Sequence, residues 1–183
     1  MLYKEFMLPV VLPCLRGDRI ELRSMRRDDA AALFEIYGDP VVMRYTDEDP
    51  FPNLETVSLM LRSVQALLSE GASLEWGIAP AGDGSLVGTC GLHSFDQSLN
   101  KAEVGCLLRR SAWGNGYMNE AINLLIIYAK NTLGSSQLVA NVAPGNQRAQ
   151  RLFEHLGFRR SDQQWWIMDL ANCTRTPRSA RTR

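Results

Sequence analysis

Apolar and polar residues along the chain follow two periods, and the switches between them predict the element order. Ile20, Leu22 and Ser24 alternate with Glu21, Arg23 and Met25, which predicts a strand over residues 19–25. Asp28 and Asp29 suit the positive end of a helix dipole and open a helix that runs to Tyr37, where Gly38-Asp39-Pro40 stops it. A short helical turn is expected over 41–45, then a loop over 47–52. Asn53 is a good N-cap for a helix over 54–70, in which Leu54, Val57, Leu61, Val64, Leu67 and Leu68 recur as one buried stripe. Three strands, over 74–79, 86–94 and 102–108, are joined by turn-rich segments at 81–84 and 96–100, so they predict an antiparallel meander with the first strand. A helix over 118–133 follows, with Ala121, Leu124, Leu125 and Tyr128 on one face. The chain closes with a strand over 137–142, a helix over 147–156 and short strands over 158–161 and 165–170. Trp165 and Trp166 point to opposite sides of the last strand, one of them into the core.

That order describes a mixed α/β domain over 18–171, one layer of sheet flanked by helices. Residues 1–17 read as a lead-in. The tail, 172–183, carries Arg175, Arg178, Arg181 and Arg183 and has no apolar pattern to order it. A chain of 183 residues, 45% apolar, can bury a core without staples. Lys+Arg and Asp+Glu both number 20, so no global field calls for nucleic acid. Four scattered cysteines and two histidines lack metal-site spacing and fit free thiols in the cytoplasm. The apolar run over 8–15 is broken by Pro9 and Pro13 and is too short for a bilayer or a signal peptide, so no membrane association is expected.

The chemistry concentrates in residues 103–120, EVGCLLRRSAWGNGYMNE. A strand runs into Gly114-Asn115-Gly116 and a helix begins. Glycines there let backbone approach a ligand, and the free N–H groups of the first helical turn favour an anion such as a pyrophosphate. Arg109 and Arg110, just upstream, are expected to add positive charge. A dinucleotide fingerprint would need a third glycine where Asn119 stands, and a P-loop would need Gly-Lys-Ser/Thr; neither is present. On spacing alone, a plain strand–helix turn is the favoured reading of the pattern.

The segment from Trp113 to Met118 resembles the acetyl-CoA pyrophosphate loop of the GNAT superfamily, and W-G-x-G-Y followed by N-E-A is similar to its Rim-type branch, the ribosomal-protein alanine N-acetyltransferases. Further similarities fall in the same order: R-I-E-L-R at 19–23, D-P-V-V-M-R-Y at 39–45, L-V-G-T at 86–89, A-E-V-G at 102–105, and Asn146 with L-F-E-H-L-G-F at 152–158. The resemblance covers about residues 17–170. It implies a mostly antiparallel sheet of about six or seven strands with one splayed pair, flanked by about four helices. It also implies direct transfer of acetyl from acetyl-CoA to a primary amine, without a metal. Cys106, Leu107 and Leu108 would bind the pantetheine arm through backbone, as an added strand does. Trp113, Gly114, Asn115, Gly116, Tyr117, Met118 and Asn119 would surround the pyrophosphate. Asn146 would hold the arm near the thioester, and is as readily a helix N-cap.

Glu103 is the expected base for the amine, with His93 as the alternative; the plainer readings are an outward-facing glutamate and a structural histidine. His155 reads as a helix-end complement. Two positions depart from the branch: Ala149 where a serine is common, and Phe153 where a tyrosine can protonate the departing thiolate. Met118 stands at a usual glycine or alanine. Tyr117 and Tyr128 are available phenols. The acceptor expected is a protein N-terminal α-amine; a small amine (polyamine, aminoglycoside or amino acid) and a non-catalytic acetyl-CoA-binding module are the competing expectations. Asp47, Glu48 and Asp49 suit a cationic acceptor of either kind, but a solvated loop is the favoured reading. The short segment after Phe158 predicts an open acceptor site. A homodimer is compatible with the sequence but not required by it.

Overall fold

The computed structural model describes residues 8–98, 100–171 and 173. The basic tail expected to be disordered lies, apart from Cys173, outside the described residues, as do the first seven residues of the lead-in. The elements are β1 (Leu15–Arg16), β2 (Ile20–Arg23), α1 (Ala30–Tyr37), α2 (Pro40–Met43), α3 (Leu54–Ser69), β3 (Ser73–Pro80), β4 (Gly88–Asp96), β5 (Lys101–Leu108), α4 (Tyr117–Tyr128), β6 (Gln137–Asn141), α5 (Gln147–His155), β7 (Arg159–Arg160) and β8 (Trp165–Asp169). They form one mixed α/β unit. Eight strands make a single sheet in the order β1-β2-β3-β4-β5-β6-β8-β7. Every neighbouring pair is antiparallel except β5 and β6.

The strand and helix pattern read from the sequence matches element by element, with two additions. The two-residue β1 pairs with β2 inside the segment read as lead-in. It is too short for alternation to reveal. The helix expected over 118–133 is α-helical to Tyr128 and ends in one π-helical turn, Ala129–Leu133, which Gly134 terminates with φ +69°.

The sheet buries both faces. On one, Leu74, Trp76, Ile78 and Leu92 meet Ala121, Ile122, Leu125 and Ile126 of α4, and the Trp76 and Tyr128 rings meet edge-on at 5.6 Å. On the other, Ala79 and Leu86 join Met25, Leu33 and Val57 under α1 and α3. Asn53 caps α3 by accepting from the Thr56 N–H at 3.0 Å. The α3 stripe is narrower than its spacing implied. Val57 is fully buried and Leu61, Val64 and Leu68 are half-buried against the core, whereas Leu54 and Leu67 are exposed. Of the tryptophan pair, Trp166 is buried and Trp165 is half-buried.

A buried ion pair fixes the entry to α1. Arg23 donates to both oxygens of Asp29, at 2.9 and 2.7 Å, and also to the carbonyls of Ser24 and Gly84. Burial opposes the Asp29 charge, but these bonds and the Arg26 N–H outweigh it and hold the carboxyl below its ordinary range.

Candidate active site

The sheet opens between β5 and β6. The two run parallel for only three pairs, Lys101–Gln137, Ala102–Leu138 and Glu103–Val139. Beyond Glu103, the outer edge of β5 has no strand beside it. An open edge of backbone donors and acceptors can receive an extended ligand as an added strand would.

Two cavities meet at this gap. One, about 670 Å³, lies along Cys106, Leu107 and Leu108 and reaches Trp113, Gly114, Gly116, Met118, Asn119 and Asn146. Those are nine of the eleven positions expected to hold the cofactor. The other two turn elsewhere. The Asn115 amide donates to the Ala112 carbonyl and its own carbonyl accepts from Arg19, so it ties the turn together. Tyr117 packs toward the core with the Arg19 guanidinium over its ring. Met118 both lines the cavity and packs on the core. Gly114 and Gly116 have φ of +82° and +77°, and a Cβ on Gly114 would meet nothing within 4 Å. The turn therefore offers bare backbone and open space at the start of α4, where unpaired N–H groups favour an anion.

The positive charge at this turn comes from residues other than those expected. Arg109 and Arg110 are drawn to Glu35 and Asp39, at 3.3 and 3.2 Å, and neither lines the cavity. Arg44 and Arg148 do line it. The Arg148 guanidinium lies 3.6 Å from the centre of the Trp113 ring, and the indole N–H donates to the Leu108 carbonyl at 2.7 Å. A cation stacked on an aromatic that is itself tied to the β5 end is a pre-set arm for phosphate. Sequence spacing did not flag Arg148, which sits 34 residues beyond Gly114.

The second cavity, about 600 Å³, lies on the α1 side of the sheet and shares Val42, Tyr45, Cys106, Leu107, Asn146 and Ala149 with the first. Asn146 thus stands where the two join. Its Oδ1 caps α5 by accepting from the Ala149 N–H at 3.2 Å, which leaves its amide N–H groups to the cavities. Glu103 and His93 face each other across β5 and β4 and both line this second cavity. The His93 Nδ1 lies 3.0 Å from the Ser94 hydroxyl. His155, by contrast, stands in the last turn of α5 and lines neither cavity. Asp47 and Glu48 line the rim; Asp49 does not. No Lys or Arg lines this cavity, so its charged groups are acidic.

Three lining groups escaped the sequence reading. Glu75 on β3 is half-buried and accepts from the Ser73 hydroxyl at 2.7 Å; burial pushes its carboxyl up to about 7. Tyr37 shares a hydrogen bond with Thr89 at 2.9 Å, and burial raises its phenol. Tyr45 lines both cavities. An acidic residue amid an otherwise apolar strand, Ser73-Leu74-Glu75-Trp76, was the available signal for Glu75. The phenols considered from sequence lie apart. Tyr128 is in the core and Tyr117 beneath Arg19. Phe153 lines the acceptor side but packs edge-on against Phe158 at 5.0 Å and offers no proton. Cys106, with its thiol pushed by burial up to about 12, is a poor nucleophile, so a covalent thioester on the protein is disfavoured. Among the described residues no group of three His, Cys, Asp or Glu side chains could hold a metal ion, and no helix is long and apolar enough to cross a membrane.

A split sheet with a Gly-x-Gly turn feeding a helix beside the split is the architecture of a CoA-dependent acyltransferase. The chain belongs to the acetyltransferase (GNAT) family, whose domain model matches residues 19–159. It is 32% identical over 146 residues to the uncharacterised N-acetyltransferase p20 of Bacillus licheniformis, covering 80% of this chain and 82% of that one. Among solved structures it is similar to Mycobacterium smegmatis RimJ in complex with CoA-disulfide, with a TM-score of 0.80 at 18% identity, covering 93% of each chain. It is also similar to spermidine N-acetyltransferase from Vibrio cholerae in complex with CoA and spermine, with a TM-score of 0.74 at 18% identity, covering 85% of this chain and 98% of that one.

Proposed function

We propose that the protein moves an acetyl group from acetyl-CoA directly to the primary amine of a protein N-terminus. The observation that carries this is the meeting of two cavities at the β5–β6 gap, one beside the glycine turn and the other acidic. The pyrophosphate would lie on the N–H groups of the Gly114–Asn119 turn, with Arg148 and Arg44 near it. The pantetheine arm would pair with the backbone of Cys106, Leu107 and Leu108, and Asn146 would hold its inner end. The amine enters from the other cavity as an ammonium, drawn by Asp47, Glu48 and Glu103. It must lose a proton before attack, and Glu103 with His93 opposite it supplies that base in this reading. A strand N–H on the open β5 edge would face the oxyanion. The departing thiolate takes a proton from Tyr45, the phenol that lines both cavities. Acetyl transfer of this kind fits the family and the names of its structural neighbours, which include a ribosomal-protein-serine acetyltransferase and a spermidine N-acetyltransferase of Vibrio cholerae.

A peptide terminus is favoured because the β7–β8 turn is short and reaches the acceptor side only through Gln164. A small polycationic amine is the second reading, favoured by the absence of Lys and Arg from the cavity lining. CoA release should be measured with acetyl-CoA against peptides with free N-termini, the same peptides N-blocked, and small polyamines. Turnover that requires the free peptide terminus supports the first reading, and turnover with polyamines alone replaces it with the second. Binding of acetyl-CoA without turnover of any amine would make the chain a binding module.

A further inference from the structure

The rows of residues across the sheet separate two carboxylates that the cavity brings together. Glu103 lies in the row Ser73–His93–Glu103, and that row is closed by Val139 of β6. Glu75 lies in the adjacent row, Glu75–Gly91–Gly105. Residues directly opposite share a face of the sheet. Beyond Gly105 there is no strand, because β5 and β6 have already parted. The row that starts at Glu75 therefore leads straight to the open edge.

Past Glu75 the row carries no side chain of its own, and one neighbour leans over its last position. A Cβ on Gly91 would overlap the Glu75 carboxylate, so the carboxylate lies across Gly91 and points toward β5. A Cβ on Gly105 would meet the His93 Nε2 at 3.2 Å, so the imidazole lies over the next bare position. Neighbouring strands are about 4.8 Å apart, so one further strand, the width of a water, separates the carboxylate from the edge. Ser73 donates to Oε1, and Oε2 has no hydrogen-bond partner among the described residues.

We propose that Glu75 is the terminal acceptor of the proton lost by the acceptor amine, taken through one water between the carboxylate over Gly91 and the His93 imidazole over Gly105. This rests on the reading of the acidic cavity as the amine site, and it moves Glu103 from base to a charge that guides the ammonium inward. The ammonium gives one proton to the Glu75 carboxylate. The free amine attacks the thioester carbonyl, the C–N bond forms and the C–S bond breaks. Tyr45 gives its proton to the thiolate and is restored by the second nitrogen proton, and Glu75 returns its proton to solvent. The groups facing Glu75 are Tyr37 of α1, Asp47 and Glu48 after α2, His93 of β4 and Glu103 of β5, while the Cys90 and Cys106 thiols lie close by on the opposite face of the sheet. None is a lysine or arginine. Burial lifts the carboxyl to about 7, where a base is half-ionised at neutral pH. A merely structural role would be served better by glutamine, since the site penalises the charge.

The test compares wild type with E75Q, E75D and E103Q, following CoA release from pH 5.5 to 9.5 with an accepted amine. For E75Q, kcat falls roughly 100-fold at pH 7 while KM for acetyl-CoA stays within about twofold. The rise of kcat/KM through about pH 7 disappears, and activity recovers toward pH 9.5, where free amine is supplied by solvent. E75D keeps the acid limb with a reduced kcat. The melting temperature of E75Q exceeds that of wild type at pH 8 and matches it near pH 4, because a raised carboxyl destabilises the fold as pH climbs through that value. Loss of the acid limb in E103Q and its retention in E75Q would overturn the assignment. If wild type releases no CoA with any amine, the amine-site reading falls and takes the assignment with it.

Discussion

Gly114 isolates the contribution of the glycine turn, because its substitution separates backbone strain from ligand contact. At φ +82°, an alanine there sits in a left-handed conformation that costs roughly 1–2 kcal/mol. Its Cβ would meet no protein atom within 4 Å, so no packing loss adds to that strain. For a chain of this size, 1 kcal/mol moves the melting temperature about 2–4 °C, so unliganded G114A should melt about 2–8 °C lower. The same methyl projects into the space assigned to the pyrophosphate. Acetyl-CoA at 100 times its dissociation constant stabilises wild type by ~2.7 kcal/mol, a rise of about 5–11 °C. A tenfold weaker complex at the same concentration retains ~1.4 kcal/mol, a rise of about 3–6 °C. G116A is the control. Its φ of +77° imposes similar strain, but its methyl meets the Arg19 Nη2 at 3.1 Å and points away from the cavity. Melting curves with and without acetyl-CoA, by fluorimetry, give both quantities at once. A ligand-induced rise in G114A equal to wild type would refute the placement of the pyrophosphate on this turn.

Asp29→Asn should lower the melting temperature at pH 7 by roughly 6–12 °C, because it leaves Arg23 buried beside an uncharged partner, a loss of about 3 kcal/mol. The folded Asp29 pKa is depressed, so its stabilisation is complete above the unfolded value near 3.9 and is lost as pH falls below it; the gap between variant and wild type should close in melts taken near pH 2. Asn146→Ala should cost about 1 kcal/mol through the lost cap on α5, seen by denaturant titration, and should also raise KM for acetyl-CoA. Asn146→Asp keeps the cap and should restore stability without restoring KM; recovery of both would reduce Asn146 to a cap. Gly91→Ala should displace the Glu75 carboxylate and reproduce the kcat loss of E75Q, and unchanged kinetics in that variant would show that the carboxylate has room to spare.

The fold was legible because its signals are local. Asn53 and Asn146 announce helix starts, Gly71, Gly134 and Gly157 sit at helix ends with φ of +67°, +69° and +87°, and period-two alternation marks the meander. The cavity beside the glycine turn was legible for the same reason: the strand residues and glycines that line it fall mostly within residues 106–119 and need only one junction to be recognised. What sequence misplaced depends on distant partners. Arg109 and Arg110 look like free charge at the turn until Glu35 and Asp39, some 70 residues earlier in the chain, are brought to them. Arg148 looks like an ordinary helix residue until α5 lays it on Trp113.

Glu75 shows the same limit at the point where it bears on chemistry. On its own strand it is a glutamate between Leu74 and Trp76, both fully buried, and alternation assigns it to an outward face. Its meaning comes from Gly91 and Gly105, each on a different strand, and from where β6 leaves β5. Two glycines in register on neighbouring strands weaken a sheet, since neither contributes a side chain to pack. Here they cost little packing elsewhere, because the opposite face carries Leu92, Cys90 and Val104 against α4. The bare strip they leave is what lets a half-buried carboxylate lie flat beside the open edge. Around the gap the sheet thus keeps its packing residues on one face and its cavity-lining carboxylates on the other, and the parting of β5 and β6 sets which of the two carboxylates lies in the row that leads to the open edge.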